Sequence, residues 1–449
     1  MANIVFSIWP LTGCMNASLR VAKSLRERGH HIRYIGIPDC ANITEPNGIE
    51  LLPVFAETFP RNLLETLQNK FINLRGMARL REIRNVTKSY QKLIDALLNG
   101  ENQEIQAALD ATQPDLVIVN SSATYSVILA LFAHARGVPI AYISPTLNHY
   151  PDSESPPFSS SLIPGQGRAS KLKVQLSWNN ALFRKLIRER VFIALGLEVN
   201  MYHLVSRLAE QCDFPADRIN RRSMLAPVLG IPEFFTRARE FEFPSAQANQ
   251  RHYLGATIDS ERASPTFSWE QVSTDKPLLY CAFGSLLFLK QTEQRNLLQC
   301  VIDAARSRPD WQFVVATGNY VQPEELHSIP PNAVVMKHIP QIQLLSRADL
   351  MITHGGSNSV NECIHFGVPM IVFPLGFDQE GEAARVVYHG MGVRDNARRT
   401  SAAKINRMID TVHGDPSFKA QTMAMSQKIR ESDAYTKGIE TIESLARPR

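Results

Sequence analysis

Short apolar runs alternate with segments of helical spacing along both halves of this chain, and the links between them are brief. The run Ile4 to Ile8 passes through Pro10-Leu11-Thr12-Gly13 into a segment with apolar residues at Leu19, Val21, Ala22 and Leu25, closed by Gly29. A second run follows at Ile32 to Ile35. Strand, helix and strand joined this tightly make a parallel sheet with helices on its faces. The pattern recurs as a strand over Asp115–Val119, a helix over Ala123–Arg136 and a strand over Pro139–Ser144, with helical periodicity across 58–112. A second series places strands at Leu278–Phe283, Gln312–Ala316, Ala333–Met336, Leu350–Thr353 and Met370–Phe373. At 449 residues the chain exceeds the roughly 250–300 at which one core stops growing. The fold class is therefore α/β, with two doubly wound Rossmann-like domains facing across a cleft. The expected division is 1–235, a linker 236–277, a second domain 278–430, and a C-terminal helix 431–449 returning to the first domain. Ligands of such sheets sit outside the carboxyl ends of the strands.

Composition narrows the function classes. A net charge of +5 spread over this length permits an anionic ligand and gives no support to nucleic-acid binding. Six scattered cysteines (Cys14, Cys40, Cys212, Cys281, Cys300, Cys363) show no CxxC pair and no metal-ligand spacing, which predicts reduced thiols in a cytoplasmic protein. The N-terminus lacks a basic region before a long apolar run, so it reads as a first strand and not as a signal peptide. No apolar run approaches the roughly 20 residues that span a bilayer.

The stretch 348–393 carries the most chemistry. An apolar strand, Leu350 to Thr353, runs into His354-Gly355-Gly356-Ser357-Asn358-Ser359 and then into a helix. Glycines there let the backbone approach a ligand, and the unpaired N–H groups and positive dipole end of the helix attract a phosphate. Ser357 and Ser359 add hydroxyls, His354 an imidazole, and Glu362 stands about one turn inside the helix. Taken alone, the Gly-Gly-Ser-Asn-Ser stretch also reads as an ordinary N-cap turn.

That segment resembles the nucleotide-sugar signature of the UDP-glycosyltransferase family: a THxGxNSxxE core, then GVPM, a proline and a DQ pair. Here these stand as Thr353 to Ser359, Glu362, Gly367-Val368-Pro369-Met370, Pro374 and Asp378-Gln379, with Pro340-Gln341 and Phe283-Gly284-Ser285 upstream. Detailed likeness covers about 278–393. It points to bacterial members acting on natural products, carotenoid glucosyltransferases among them, and to the GT-B architecture. The resemblance implies that His354 and Ser359, with Ser357 and the amides of Gly356 and Asn358, hold the diphosphate. It places Gly284 and Ser285 at the β-phosphate, Glu362 on the ribose, and Asp378 and Gln379 on the donor sugar. His338 stands where many members carry a tryptophan platform for uracil, beside the Gln341 backbone. The family works by inversion without metal, and the sequence offers no Asp-x-Asp or His/carboxylate cluster. No cofactor is expected, a UDP-sugar being the co-substrate.

One departure bears on mechanism. The family's catalytic His falls on Cys14 and its partner Asp on Asn120. A thiol is a poor base at neutral pH, and an amide cannot stabilise an imidazolium. Three readings follow: an acceptor acidic enough to need no base; another base, with His149, Asp152 and Glu154 after the Pro139–Ser144 strand as candidates; or loss of transfer with nucleotide-sugar binding retained. His149 otherwise reads as a surface-loop histidine, Cys14 as a small buried hydrophobe, and His30, in Arg28-Gly29-His30, as part of a helix terminus. The expected activity is transfer of a sugar, glucose, from UDP to a small-molecule acceptor; a sugar-nucleotide epimerase or a non-catalytic binding protein is the alternative. Residues 165–190 combine Lys171, Lys173, Arg184, Lys185, Arg188 and Arg190 with six aliphatic residues. They read either as a helix with a solvated basic face or as a surface for an acidic or lipid-like acceptor. Neither acceptor identity nor oligomeric state is legible.

Overall fold

A computed structural model describes residues 1–446 apart from 122–123, 221–223, 226–227, 246–250, 263 and 285–290. The strands of the first sheet are β1 (Asn3–Ser7), β2 (His31–Gly36), β3 (Glu50–Pro53), β4 (Leu116–Asn120), β5 (Ile140–Ser144), β6 (Glu233–Phe235) and β7 (His252–Tyr253). Those of the second are β8 (Leu278–Ala282), β9 (Gln312–Ala316), β10 (Ala333–Met336), β11 (Leu350–Thr353), β12 (Met370–Val372) and β13 (Gly392–Arg394). The orders are β3-β2-β1-β4-β5-β6-β7 and β10-β9-β8-β11-β12-β13. Every pairing between these strands is parallel.

Central strands are buried on both faces, all five residues of β4 and of β8 included. Helices cover each side, so a parallel sheet reads as an unbroken Val/Ile/Leu run and not as an alternation. Each order reverses once, between β1 and β4 in the first sheet and between β8 and β11 in the second. A crevice for a ligand opens at such a reversal.

The 236–277 stretch is more than a linker. It holds β7, which joins the first sheet, while Phe241 and Val272 are buried in the core of the second domain. Residues 239–241 therefore visit the second domain before the chain returns to the first. The helix Ala434–Leu445 packs Ile439 and Ile442 into the first domain's core. Its Glu443 meets Arg28 at 2.8 Å and His30 at 3.0 Å, tying His30 into this contact.

Candidate active site

Two helix starts meet across the interface. β1 leads into the helix Thr12–Glu27, and β11 leads through His354-Gly355-Gly356 into the helix Ser357–Phe366. The Asn358 amide donates to the Gly13 carbonyl at 2.9 Å, so the turns at the two sheet reversals face one another. Cys14 and Asn120 lie on the first side, Gly284 and His354 on the second.

His354 is held by an absence of side chains. A Cβ added to Gly284 would lie 2.6 Å from its Nε2, and one added to Gly356 would lie 2.5 Å away. Only glycines leave room for the ring, and Gly284 also takes φ +77. Burial, partly offset by the Ala282 carbonyl, pushes the imidazole down to about 4, so it is neutral at physiological pH. The neutral ring stands beside a helix N-terminus, a position that favours an anionic oxygen.

Glu362, buried on that helix, is already occupied. Arg262 donates to one carboxylate oxygen at 2.6 Å and the Gln341 amide donates to the other. Gln341 also donates to the Ser359 hydroxyl at 3.2 Å and accepts from Tyr280 at 3.1 Å. Arg262 was not among the residues expected from sequence. It lies 100 positions from its partner, in a segment without strand or helix, and no local signal marks it. His338 stands exposed just before Pro340, and Ser285 lies outside the described residues.

The Ser357 hydroxyl lies between Asp378 (3.1 Å) and Glu382. Burial, with Glu382 beside it, raises Asp378 well above the usual carboxylate range. Gln379 is partly committed within its own loop. Its side-chain oxygen accepts from the amides of Leu375 (2.7 Å) and Gly376 (3.1 Å), leaving only the NH₂ for a ligand. Behind this loop lies a buried charge network. Arg237 pairs in two-pronged fashion with Glu382 at 2.7 and 3.1 Å, and Arg385 grips Glu242 at 2.7 Å. Arg237 follows β6, so the network clamps the first domain's chain to the helix Gln379–Tyr388.

The acceptor side departs from expectation in one respect. Cys14 is partly exposed and packs its edge on the first core; Asn120 is fully buried. His149 is not a surface-loop residue. Its ring is completely buried and its nitrogens have no hydrogen-bond partner among the described residues. Burial, with Arg251 nearby, pushes it down to about 3. Aromatic packing on Tyr150 and the surrounding loop bury it, a tertiary effect that a polar sequence context conceals. Asp152 caps its own turn, accepting from the amides of Glu154 (2.9 Å) and Ser155 (3.1 Å), and Glu154 pairs with Lys171 at 2.6 Å. A further carboxylate emerges here. Ser121, the residue after Asn120, lies 2.5 Å from the Ser144 hydroxyl, which donates to Glu233. His149 Nε2 lies 3.7 Å from the same carboxylate. Burial raises Glu233 to about 7 despite the serine hydrogen bonds and Arg251. Glu233 escapes sequence reading because it opens a three-residue strand 89 positions from Ser144.

Residues 8–434 match the UDP-glucoronosyl and UDP-glucosyl transferase family. The chain belongs to that family. It is similar to 4'-demethylrebeccamycin synthase of Lentzea aerocolonigenes, 22% identical with 99% of both chains covered. It is also similar to zeaxanthin glucosyltransferase of Pantoea ananas, 24% identical over 89% of this chain and 86% of that one. Among solved structures, the kitacinnamycin glycotransferase superposes with a TM-score of 0.69 at 19% identity, covering 99% and 98% of the two chains. The glycosyltransferase VinC, solved with DTDP, gives 0.66 at 16% identity with 99% of both covered. The fold of this UDP-glycosyltransferase is therefore GT-B, and the protein is a transferase. All six cysteines are free thiols. Among the described residues no helix is long and apolar enough to cross a membrane, and no group of three or more His, Cys, Asp or Glu could hold a metal ion.

Proposed function

We propose that this enzyme moves glucose from UDP-glucose to a small natural-product acceptor, with inversion and without a divalent cation. The observation that carries the reading is the His354-Gly355-Gly356 turn, packed so that only glycines fit beside the imidazole and hydrogen-bonded across the interface to the Cys14 turn. A diphosphate seated on the helix Ser357–Phe366 meets backbone amides, hydroxyls and the neutral ring. Charge that develops on departure is stabilised there by fixed dipoles. Glu362 and Gln341, already hydrogen-bonded to each other, take the ribose hydroxyls as Arg262 yields. Asp378 and the Gln379 NH₂ hold the sugar.

The acceptor oxygen forms its bond to the anomeric carbon as the bond to the diphosphate breaks, and UDP leaves with the electron pair. The acceptor's proton passes to Ser121, through Ser144, to Glu233. A carboxylate poised near neutrality suits that task better than the Cys14 thiol. The names of relatives support a small, largely apolar acceptor.

The test is turnover of UDP-glucose with a panel of hydroxylated aromatics and carotenoids, in the presence of chelator. UDP should appear only with acceptor, and proton NMR should show a β-linked glucoside. An α-linked product, UDP release independent of acceptor, or loss of turnover rescued by Mg²⁺ would each reject the reading.

A further inference from the structure

The helix Arg168–Ala194 presents an apolar face to solvent. Among the described residues, eight of the fifteen most exposed large apolar side chains belong to it or to the residue that closes it: Leu172, Leu176, Phe183, Leu186, Ile187, Val191, Phe192 and Leu195. Phe183 is 63% exposed and Leu176 57%, values far beyond what a lone surface hydrophobe would need explaining. Leu172, Leu176, Phe183 and Ile187 recur at four- and seven-residue steps, which stack them on one side of a helix. The opposite side carries Val174 and Trp178, both buried, with the Trp178 indole donating to the Ser155 carbonyl at 2.8 Å. The helix is thus seated by one face and bare on the other.

Charge says what covers the bare face. Within the helix stand Arg168, Lys171, Lys173, Arg184, Lys185, Arg188 and Arg190 against one acid, Glu189. Lys171, Lys185 and Arg188 have carboxylate partners. Arg168, Lys173, Arg184 and Arg190 are exposed and form no ion pair among the described residues. A second copy placed face to face would oppose two strongly basic helices. An anionic bilayer surface matches both properties at once: acyl chains for the stripe, headgroups for the bases beside it. At 27 residues the helix is about 40 Å long, enough to lie along such a surface.

We propose that the helix Arg168–Ala194 docks this enzyme on anionic lipid membranes, lying in the interface with its Leu172–Ile187 face inserted. This goes beyond the sugar-transfer reading and stands without it. The helix sits on the loop that leaves the carboxyl end of β5, so docking brings the acceptor side of the enzyme to the bilayer.

The test is co-sedimentation of the full-length protein with extruded vesicles, either pure phosphatidylcholine or one-third phosphatidylglycerol, at low and high salt. Binding is expected to the anionic vesicles and to weaken with salt. Two triple variants, Leu176→Asp/Phe183→Asp/Ile187→Asp and Lys173→Gln/Arg184→Gln/Arg190→Gln, should each lower the partition coefficient by about tenfold or more. Both should keep wild-type UDP affinity, which shows that they fold. Wild-type protein that stays in the supernatant with anionic vesicles would overturn the proposal. So would an aspartate variant that sediments like wild type, or a dimer in light scattering that this variant dissociates, which would make a second copy the occupant.

Discussion

A single methyl group at Gly356 is expected to displace His354 and weaken nucleotide binding. The backbone itself tolerates alanine there, with φ −66 and ψ 140 in the extended region. The whole penalty arises at the ring: the new Cβ would lie 2.5 Å from Nε2 and 2.9 Å from Cε1, about 1 Å short of ordinary contact. Overpacking of this kind costs about 1–3 kcal/mol of stability. Shifting the ring off the diphosphate removes a charge-assisted hydrogen bond worth about 1.5–3 kcal/mol, a rise in Kd of roughly 10- to 150-fold. The assay is calorimetric titration with UDP, alongside urea unfolding, of Gly356→Ala, His354→Ala and the double variant. In the double variant the methyl group fills space the ring has vacated, so its affinity should equal that of His354→Ala and not the sum of the two losses. Wild-type affinity and stability in Gly356→Ala, or strict additivity in the double variant, would refute the packing argument.

Other consequences follow from the same geometry. Cys14→Ala should retain kcat within about tenfold, a barrier change of roughly 1.4 kcal/mol; a thousandfold loss with UDP affinity intact would make the thiol catalytic. Glu233→Gln should lower kcat by roughly 10²–10⁴-fold. Because burial raises Glu233 from 4.5 to about 7, wild-type kcat should climb as pH rises through neutrality while the variant's profile stays flat there. His149, Tyr142, Tyr150 and Arg251 face this carboxylate, and His149 stays neutral throughout that range. An identical pH profile in Glu233→Gln would exclude it as the proton's destination. Arg237→Met strands Glu382 as a buried, uncompensated charge and should cost about 3–5 kcal/mol in urea unfolding; a loss below about 1 kcal/mol would mean the network does not hold the domains together.

Where one segment supplies all the information, the residues by themselves determine the local structure. β9, β10 and β11 begin and end at the residues expected from their apolar runs, because a short uninterrupted apolar run announces a strand without reference to neighbours. The His354-Gly355-Gly356 turn was legible for the same reason, since strand, glycines and helix start lie within ten residues. β3, β6, β7 and β13 carried no such signal. They are two to four residues long, and most include half-buried or exposed positions that a short window cannot separate from loop.

Tertiary structure alone decided the rest. Glu362 acquired Arg262, Glu382 acquired Arg237, and Gly13 acquired Asn358, across separations of 100, 145 and 345 residues. It also decided that His149, which reads as a surface-loop histidine, is buried beside Glu233. Backbone turns and strand cores are encoded by contiguous residues because their forces act over a few bonds. Ionisation and partner choice depend on desolvation and Coulomb attraction between groups that meet only when two whole domains close on each other.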